Sequence, residues 1–207
     1  MHLPTPGATP DPYPESSSER DAWIVGRRPQ RNVVTSDRAY SAFVEGEVDE
    51  KGVLRNVATV LLSNRECPYR CLMCDLWKNT LEQSVPPGAI RAQIDAMLAI
   101  APAAPVIKLY NAGSFFDTKA IPPGDFEAIA ERLSSFERVI VECHPALVGP
   151  SVERFAGLLT GKLEVAMGLE VADDRILDLL NKRMTLATYD DAAARLTSMG
   201  VDHRAFV

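Results

Sequence analysis

Apolar and polar positions along most of the chain fall into blocks that predict strands and helices in turn. The run at 57–63, VATVLLS, is apolar at nearly every position, which is typical of a parallel strand covered on both faces. Helical spacing of apolar residues, as at Ile90, Ile94 and Met97, predicts the connecting helices. The other predicted strands are 40–48, 106–113, 138–144, 163–170 and 201–207. This alternation indicates an α/β fold with a parallel sheet and right-handed crossovers, and an open doubly wound sheet and a barrel both fit it.

The first 38 residues lack this periodicity. Residues 1–20 contain five of the fifteen prolines together with serines at 16–18, so they bury little apolar surface. We therefore expect a disordered or weakly ordered arm over 1–38 and a folded core over 39–207. The arginines of this arm at 27, 28, 31 and 38 fit a solvated linker as well as a local binding surface.

Composition sets the broad class of protein. A chain of 207 residues with 46% hydrophobic content is long enough for one core of ordinary size. The formal charge of −6 provides no global basic field for nucleic acid. No apolar run reaches membrane-spanning length, and the first residues have neither the basic nor the apolar part of a secretory signal. We expect a cytoplasmic protein with no membrane partner.

Three of the four cysteines cluster directly after the predicted strand at 53–64, of which the apolar run at 57–63 is the core. Cys67, Cys71 and Cys74 have the spacing C-x3-C-x2-C, and clustered thiols in a cytosolic chain indicate metal more often than a disulfide. Chemistry in parallel α/β folds gathers at the carboxyl ends of the strands. Three thiolates would leave one iron of a [4Fe–4S] cluster open for an exchangeable ligand. A zinc site completed by Cys143 or His144, or a chance cluster, remains the alternative.

Several phrases around this motif resemble the radical S-adenosylmethionine superfamily. They are NRECPYRCLMCDLWKN, KLYNAGSFFD, VECHP and GLEVADDRILDLLNK. The phrases are similar to the branch of the Elongator catalytic subunit and the tRNA methylthiotransferases, and most similar to the archaeosine synthase radical subunit and its bacterial relatives. The resemblance implies a (β/α) partial barrel and reductive cleavage of S-adenosylmethionine to a 5′-deoxyadenosyl radical. It also implies tRNA as substrate and an electron donor such as flavodoxin or ferredoxin.

The same resemblance implies roles for individual residues. Cys67, Cys71 and Cys74 would hold the [4Fe–4S] cluster. S-adenosylmethionine would contact Met73, Gly113, Ser114, Glu142 and Glu170. Physical reasons support the roles of Gly113, Glu142 and Glu170: glycine permits close backbone approach, and carboxylates accept hydrogen bonds from ammonium and hydroxyl groups. An ordinary turn at Gly113 and a surface carboxylate at Glu142 are the competing interpretations.

The predicted strand series has about four β/α units and reaches a fifth parallel strand at 201–207, whereas the superfamily barrel has six. We therefore expect a partial barrel that is truncated in its fifth strand. The alternatives to the enzyme are a non-catalytic module that binds zinc or a structural cluster, an inactive fragment, and a tRNA-binding partner without turnover.

Overall fold

The computed structural model describes residues 12–100 and 103–207. Its strands are β1 (Ser41–Val48), β2 (Leu54–Leu62), β3 (Val106–Asn111), β4 (Arg138–Glu142), β5 (Lys162–Gly168) and β6 (Asp202–Phe206). Its helices are α1 (Ser17–Val25), α2 (Ala89–Leu98), α3 (Phe126–Arg132), α4 (Pro150–Leu158), α5 (Asp174–Leu179) and α6 (Leu186–Ser198). Short 3-10 segments lie at Leu76–Asn79, Pro123–Asp125 and Pro145–Leu147. None of the helices in these two ranges combines the length and apolar character needed to cross a membrane.

The strands within the described residues form one sheet in the order β1-β2-β3-β4-β5-β6. Strand β1 pairs antiparallel with β2, whereas β2 through β6 pair in parallel. Because the parallel strands run in one direction, their carboxyl ends lie at the same edge of the sheet. The sheet is not closed, and the predicted α/β fold of a partial (β/α) barrel is confirmed.

The two faces of the sheet differ in chemistry because side chains alternate along each strand. One face, with Leu109, Val141 and Val165, joins the apolar core built from helices α2 to α6. On the other face Lys108 lies in register with Ile140, which lies in register with Glu164. Lys108 is only 4% exposed and pairs with Glu45 at 2.9 Å. The core therefore sits between sheet and helices, and the opposite face is partly ionic.

Residues 12–38 contain more structure than their polar pattern predicts. Helix α1 begins after Ser16, whose hydroxyl accepts a hydrogen bond from the amide of Glu19. Arg20 in this helix is buried, and it donates to the backbone carbonyl of Asp178 at 2.6 Å and to its carboxylate at 2.9 Å. The division into an arm over 1–38 and a core over 39–207 stays a prediction. Residues 1–11 of that arm lie outside the described residues.

Gly161, between α4 and β5, provides a test of the close packing at the start of β5. An added Cβ would lie 2.2 Å from the carbonyl oxygen of Phe136 and 2.7 Å from that of Glu137. Because both atoms belong to the backbone, we expect Gly161→Ala to lower the free energy of unfolding by about 1–3 kcal/mol. Urea denaturation measures the change.

Gly157 in α4 is the matched control, since nothing lies within 4 Å of its added Cβ. Gly157→Ala is expected to raise the free energy of unfolding by about 0.5–1 kcal/mol, because alanine loses less backbone entropy in a helix. Equal unfolding curves for the two variants would contradict the packing described at Gly161.

Candidate metal and cofactor site

A cavity of about 330 Å³ opens at the carboxyl ends of β2 through β6. All three cysteines of the motif line it. So do four of the five residues to which the resemblance gives cofactor contacts: Met73, Gly113, Glu142 and Glu170. These residues follow different strands, and the parallel sheet brings them together. A cavity of this size is within the range of small-molecule sites.

The fifth residue, Ser114, is buried next to the cavity but does not line it. Its hydroxyl donates a hydrogen bond to the sulfur of Cys143 at 3.4 Å. Ser114 therefore packs behind Cys143, which lines the cavity. A direct contact of the Ser114 side chain with a ligand stays a prediction. Met73, in contrast to the buried Ser114, is 46% exposed and lies at the rim of the cavity.

The segment from Cys67 to Cys74 contains only bends and turns. All three cysteines are free and half-buried. Burial raises the pKa of Cys67 to about 12 and also raises the pKa of Cys71. Cys67 and Cys71 therefore keep their protons at neutral pH, and a metal that binds them must displace those protons.

Gly113, just after β3, allows the end of this strand to lie close to Cys67. Its φ is 145°, a conformation that residues with a side chain rarely adopt. A Cβ added there would lie 2.9 Å from the Cβ of Cys67. The predicted need for glycine at this position therefore has a specific cause, which is contact with the cysteine segment itself.

His144 and Tyr69 join the cysteine segment to the end of β4. Their rings stack with centroids 3.8 Å apart and an interplanar angle of 17°. Nδ1 of His144 accepts from the amide of Ala146 at 3.2 Å, so Nε2 carries the proton and donates to the carbonyl of Lys182 at 2.9 Å. Burial lowers the pKa of His144, which favours this neutral form.

Glu142 ends β4 on the cavity wall. Its carboxylate accepts a hydrogen bond from the amide of Asn111 at 3.1 Å. Burial raises the pKa of Glu142 to about 8, and the Asn111 hydrogen bond opposes the rise only in part. This carboxyl group can therefore hold or release a proton near neutral pH.

Glu170 follows β5 in a left-handed conformation with φ of 67°. Its carboxylate lies 3.1 Å from Nζ of Lys182, a lysine whose side chain is 8% exposed. An added Cβ at Gly168 would lie 2.7 Å from that carboxylate and 3.0 Å from Nζ. The cavity thus presents a carboxylate and an ammonium group side by side, which suits a ligand with groups of both signs.

The donor set fits an iron–sulfur cluster in kind and number. Three thiols line one cavity, and Gly113 lets the neighbouring strand end approach the first of them. Within residues 12–100 and 103–207, no three His, Cys, Asp or Glu side chains are arranged to hold a single metal ion. The assignment of Cys67, Cys71 and Cys74 as cluster ligands stays a prediction.

A curated protein is similar to this chain over three quarters of the chain's length. The chain is similar to the beta subunit of archaeosine synthase from Methanosarcina acetivorans, with 27% identity over 168 residues. The match covers 75% of this chain and 49% of that protein, so the chain spans about half the length of the curated relative it matches. The predicted resemblance to the archaeosine synthase subunit is confirmed. No family model matches the chain.

Among solved structures, the chain is similar to the cobalamin-dependent S-adenosylmethionine radical enzyme OxsB. The form with aqua-cobalamin and S-adenosylmethionine bound has a TM-score of 0.49 at 17% identity, over 77% of this chain and 28% of that chain. The form with aqua-cobalamin alone has a TM-score of 0.48 at 18% identity, over the same shares of the two chains.

Several contacts lie outside the set expected from the radical S-adenosylmethionine resemblance. They include the Tyr69–His144 stack, the buried Lys182 and the carboxylate of Glu66, which pairs with arginines at 28, 31 and 70. The phrase containing Lys182 was available in the sequence, but a lysine at a helix end reads equally well as solvated. No periodicity or spacing signals the Tyr69–His144 stack or the pairs of Glu66 with Arg28 and Arg31, because each joins residues far apart in the chain.

The raised pKa of Glu142 predicts how the stability of the folded chain depends on pH. Its folded-state pKa of about 8 lies above the ordinary value of 4.5, so between these pH values the folded chain keeps a proton that the unfolded chain releases. Rising pH in this window therefore lowers the free energy of unfolding. Glu142→Gln cannot titrate at this position. We therefore expect its melting temperature, relative to that of the parent at the same pH, to increase as the pH is raised from 5 to 9. A difference that is constant across this range would contradict the raised pKa.

Proposed function

We propose that the chain is a radical S-adenosylmethionine iron–sulfur enzyme, or the part of one that carries this site. Cys67, Cys71 and Cys74 would hold a [4Fe–4S] cluster in the cavity at the carboxyl edge of the sheet. The observation that carries the proposal is the convergence of three free thiols with Gly113, Glu142 and Glu170 on one cavity. The similarity to archaeosine synthase subunit beta supports it.

The chain's own residues would bind and orient the cofactor. When bound by the three cysteines, the cluster would supply the electron for reductive cleavage of the sulfonium C–S bond of S-adenosylmethionine. Glu170 would accept hydrogen bonds from ribose hydroxyls, and Glu142 would accept from the amino group of the methionine part. Met73 at the rim would pack apolar surface over adenine.

The substrate we propose is a tRNA base, by analogy with the archaeosine synthase relative. The net charge of −6 offers no general attraction for RNA, so a local surface would have to bind it. Arg28 and Arg31, two of the candidates for such a surface, already pair with Glu66. An electron donor such as flavodoxin or ferredoxin would reduce the cluster. A cytoplasmic location belongs to the same proposal, because reduced thiols persist there.

A second candidate function is a non-catalytic metal-binding module. The observation that favours it is the presence of Cys143 and His144 on the same cavity wall. Either would complete a four-ligand zinc site by exchanging a present hydrogen bond for the metal: Cys143 its bond to the carbonyl of His144, and His144 the bond at one of its ring nitrogens. Anaerobic reconstitution with iron and sulfide separates the two functions. About four irons per chain and consumption of S-adenosylmethionine under dithionite support the enzyme. One zinc per chain with no iron uptake supports the module.

The proposed function predicts that each of the three cysteines in the motif is needed for cluster assembly. We expect Cys67→Ala, Cys71→Ala and Cys74→Ala each to prevent cluster assembly, because each thiolate holds one iron. Cys143→Ala is the matched control and should keep the iron, since its buried thiol already bonds to Ser114 and to the carbonyl of His144. Iron content and the absorbance band near ~400 nm are measured after reconstitution. Full iron in a triad variant, or iron loss in Cys143→Ala, would overturn the assignment.

Glu170 makes the second prediction. Glu170→Gln keeps the shape of the side chain but removes the charge, so we expect roughly ten- to a hundredfold weaker binding of S-adenosylmethionine. Titration calorimetry on the reconstituted protein measures the affinity. Glu153→Gln in α4, away from the cavity, is the control and should bind as the parent does. Equal affinity in Glu170→Gln and the parent would remove Glu170 from the site.

A further inference from the structure

The cysteine segment at 67–74 has no strand or helix to set its shape, so contacts from elsewhere must do so. One such contact is the hydrogen bond from the amide of Leu72 to the carbonyl of Leu180 at 2.9 Å. Others come from the N-terminal segment at 12–32, which forms no strand of the sheet described above. That segment reaches the cysteines at two places.

The first place is the carboxylate of Glu66, immediately before Cys67. Arg28 of the N-terminal segment donates to it at 2.7 Å, and Arg31 donates to its other oxygen. Arg70, inside the cysteine segment, lies 3.0 Å from the same carboxylate and also donates to the carbonyl of Cys67. The Glu66 side chain is 8% exposed, so these ion pairs are shielded from water. Two residues of the N-terminal segment thereby help to fix the start of the cysteine segment.

The second place is the amide group of Asn181. Its nitrogen donates to the carbonyl of Arg70 at 2.8 Å and to the carboxylate of Asp21 at 2.8 Å, which uses both of its hydrogens. Arg183 donates to the other oxygen of Asp21 at 2.8 Å. Asp21 lies in α1, which the buried Arg20 ties to Asp178. The N-terminal segment therefore also holds the residue before Cys71.

We propose that residues 12–32 form a positioning arm for the cysteine segment, with Asp21, Arg28 and Arg31 as positioning residues. The importance of this arm for catalysis rests on the proposed function, because that function needs the three thiols at fixed positions. The positioning itself is a property of the folded chain and can be tested without iron. Positions held in this way lower the ordering cost of binding a cluster.

The test is hydrogen exchange on the full chain without iron, resolved by peptide. We compare the parent with Arg28→Ala/Arg31→Ala and with Asp21→Ala. The first should speed exchange at 66–70 and the second at 70–74, by roughly tenfold or more, since charged hydrogen bonds are lost. Amides of β3 and β4 should exchange as in the parent. The melting temperature should fall by no more than about 4 °C.

Two control variants keep the test specific. Arg154→Ala breaks the exposed pair of Arg154 with Glu127 between α4 and α3, and it should leave exchange at 66–74 unchanged. Asp21→Asn keeps an oxygen to accept from Asn181, so it should restore most of the protection that Asp21→Ala loses. If the double variant does not fold, Arg31→Ala alone, whose side chain is 29% exposed, gives the same comparison.

Unchanged exchange at 66–74 would overturn the positioning role. So would an equal rise across the whole sheet, because the N-terminal segment would then stabilise the fold in general. Iron uptake by the parent is measured separately. If the parent takes up no iron while the variants still loosen 66–74, the proposed function fails and the positioning role stands. If the parent takes up iron and exchange is unchanged, only the positioning role fails.

Discussion

The carboxylate of Glu66 is the contact on which the shape of the candidate site depends most. Burial alone would raise its pKa, but the hydrogen bonds and charges of Arg28, Arg70 and Arg31 outweigh burial and hold the pKa below its ordinary value. Arg70 keeps Glu66 paired even when Arg28 and Arg31 are removed, so the buried carboxylate is not left without an opposite charge. Because the three arginines exceed the charge of Glu66, the region beside Cys67 is cationic. That charge suits a site whose thiols lose protons when metal binds.

The polar face of the sheet carries ion pairs at one end and a partly compensated carboxyl group at the other. Toward the amino ends of the strands, charges meet in pairs: Glu164 with Arg138 at 2.8 Å and also with Arg204, and Lys108 with Glu45. At the carboxyl end, Glu142 accepts a hydrogen bond from the amide of Asn111, and burial raises its pKa to about 8. Complete pairing fixes strand register, whereas an incompletely compensated group is available to a ligand.

Periodicity and spacing predicted the strands, the core helices and the cysteine motif, because each leaves a local pattern in the sequence. The parallel order then explains why Gly113, Glu142 and Glu170 reach one cavity. Helix α1 left no such pattern, since it is held by polar contacts of Arg20 with a residue 158 positions away. Ser114 was placed on the ligand side because its neighbour Gly113 is there, but its hydroxyl bonds to Cys143. Contacts between distant polar residues carry no periodic signal, and so they required the structure.

Backbone strain gathers at the same edge of the sheet. Glu170, Asn181 and Arg183 have φ values of 67°, 55° and 58°, although none is glycine. Such a conformation costs roughly 1–2 kcal/mol for a residue with an ordinary side chain. Each of the three is held by a partner: Glu170 by Lys182, Asn181 by Asp21 and the carbonyl of Arg70, and Arg183 by Asp21. Loss of those partners would leave the three conformations without the contacts that offset their cost. Asp21 of the N-terminal segment contacts both Asn181 and Arg183, so it stabilises the backbone on either side of Lys182 and, through Asn181, the cysteine segment.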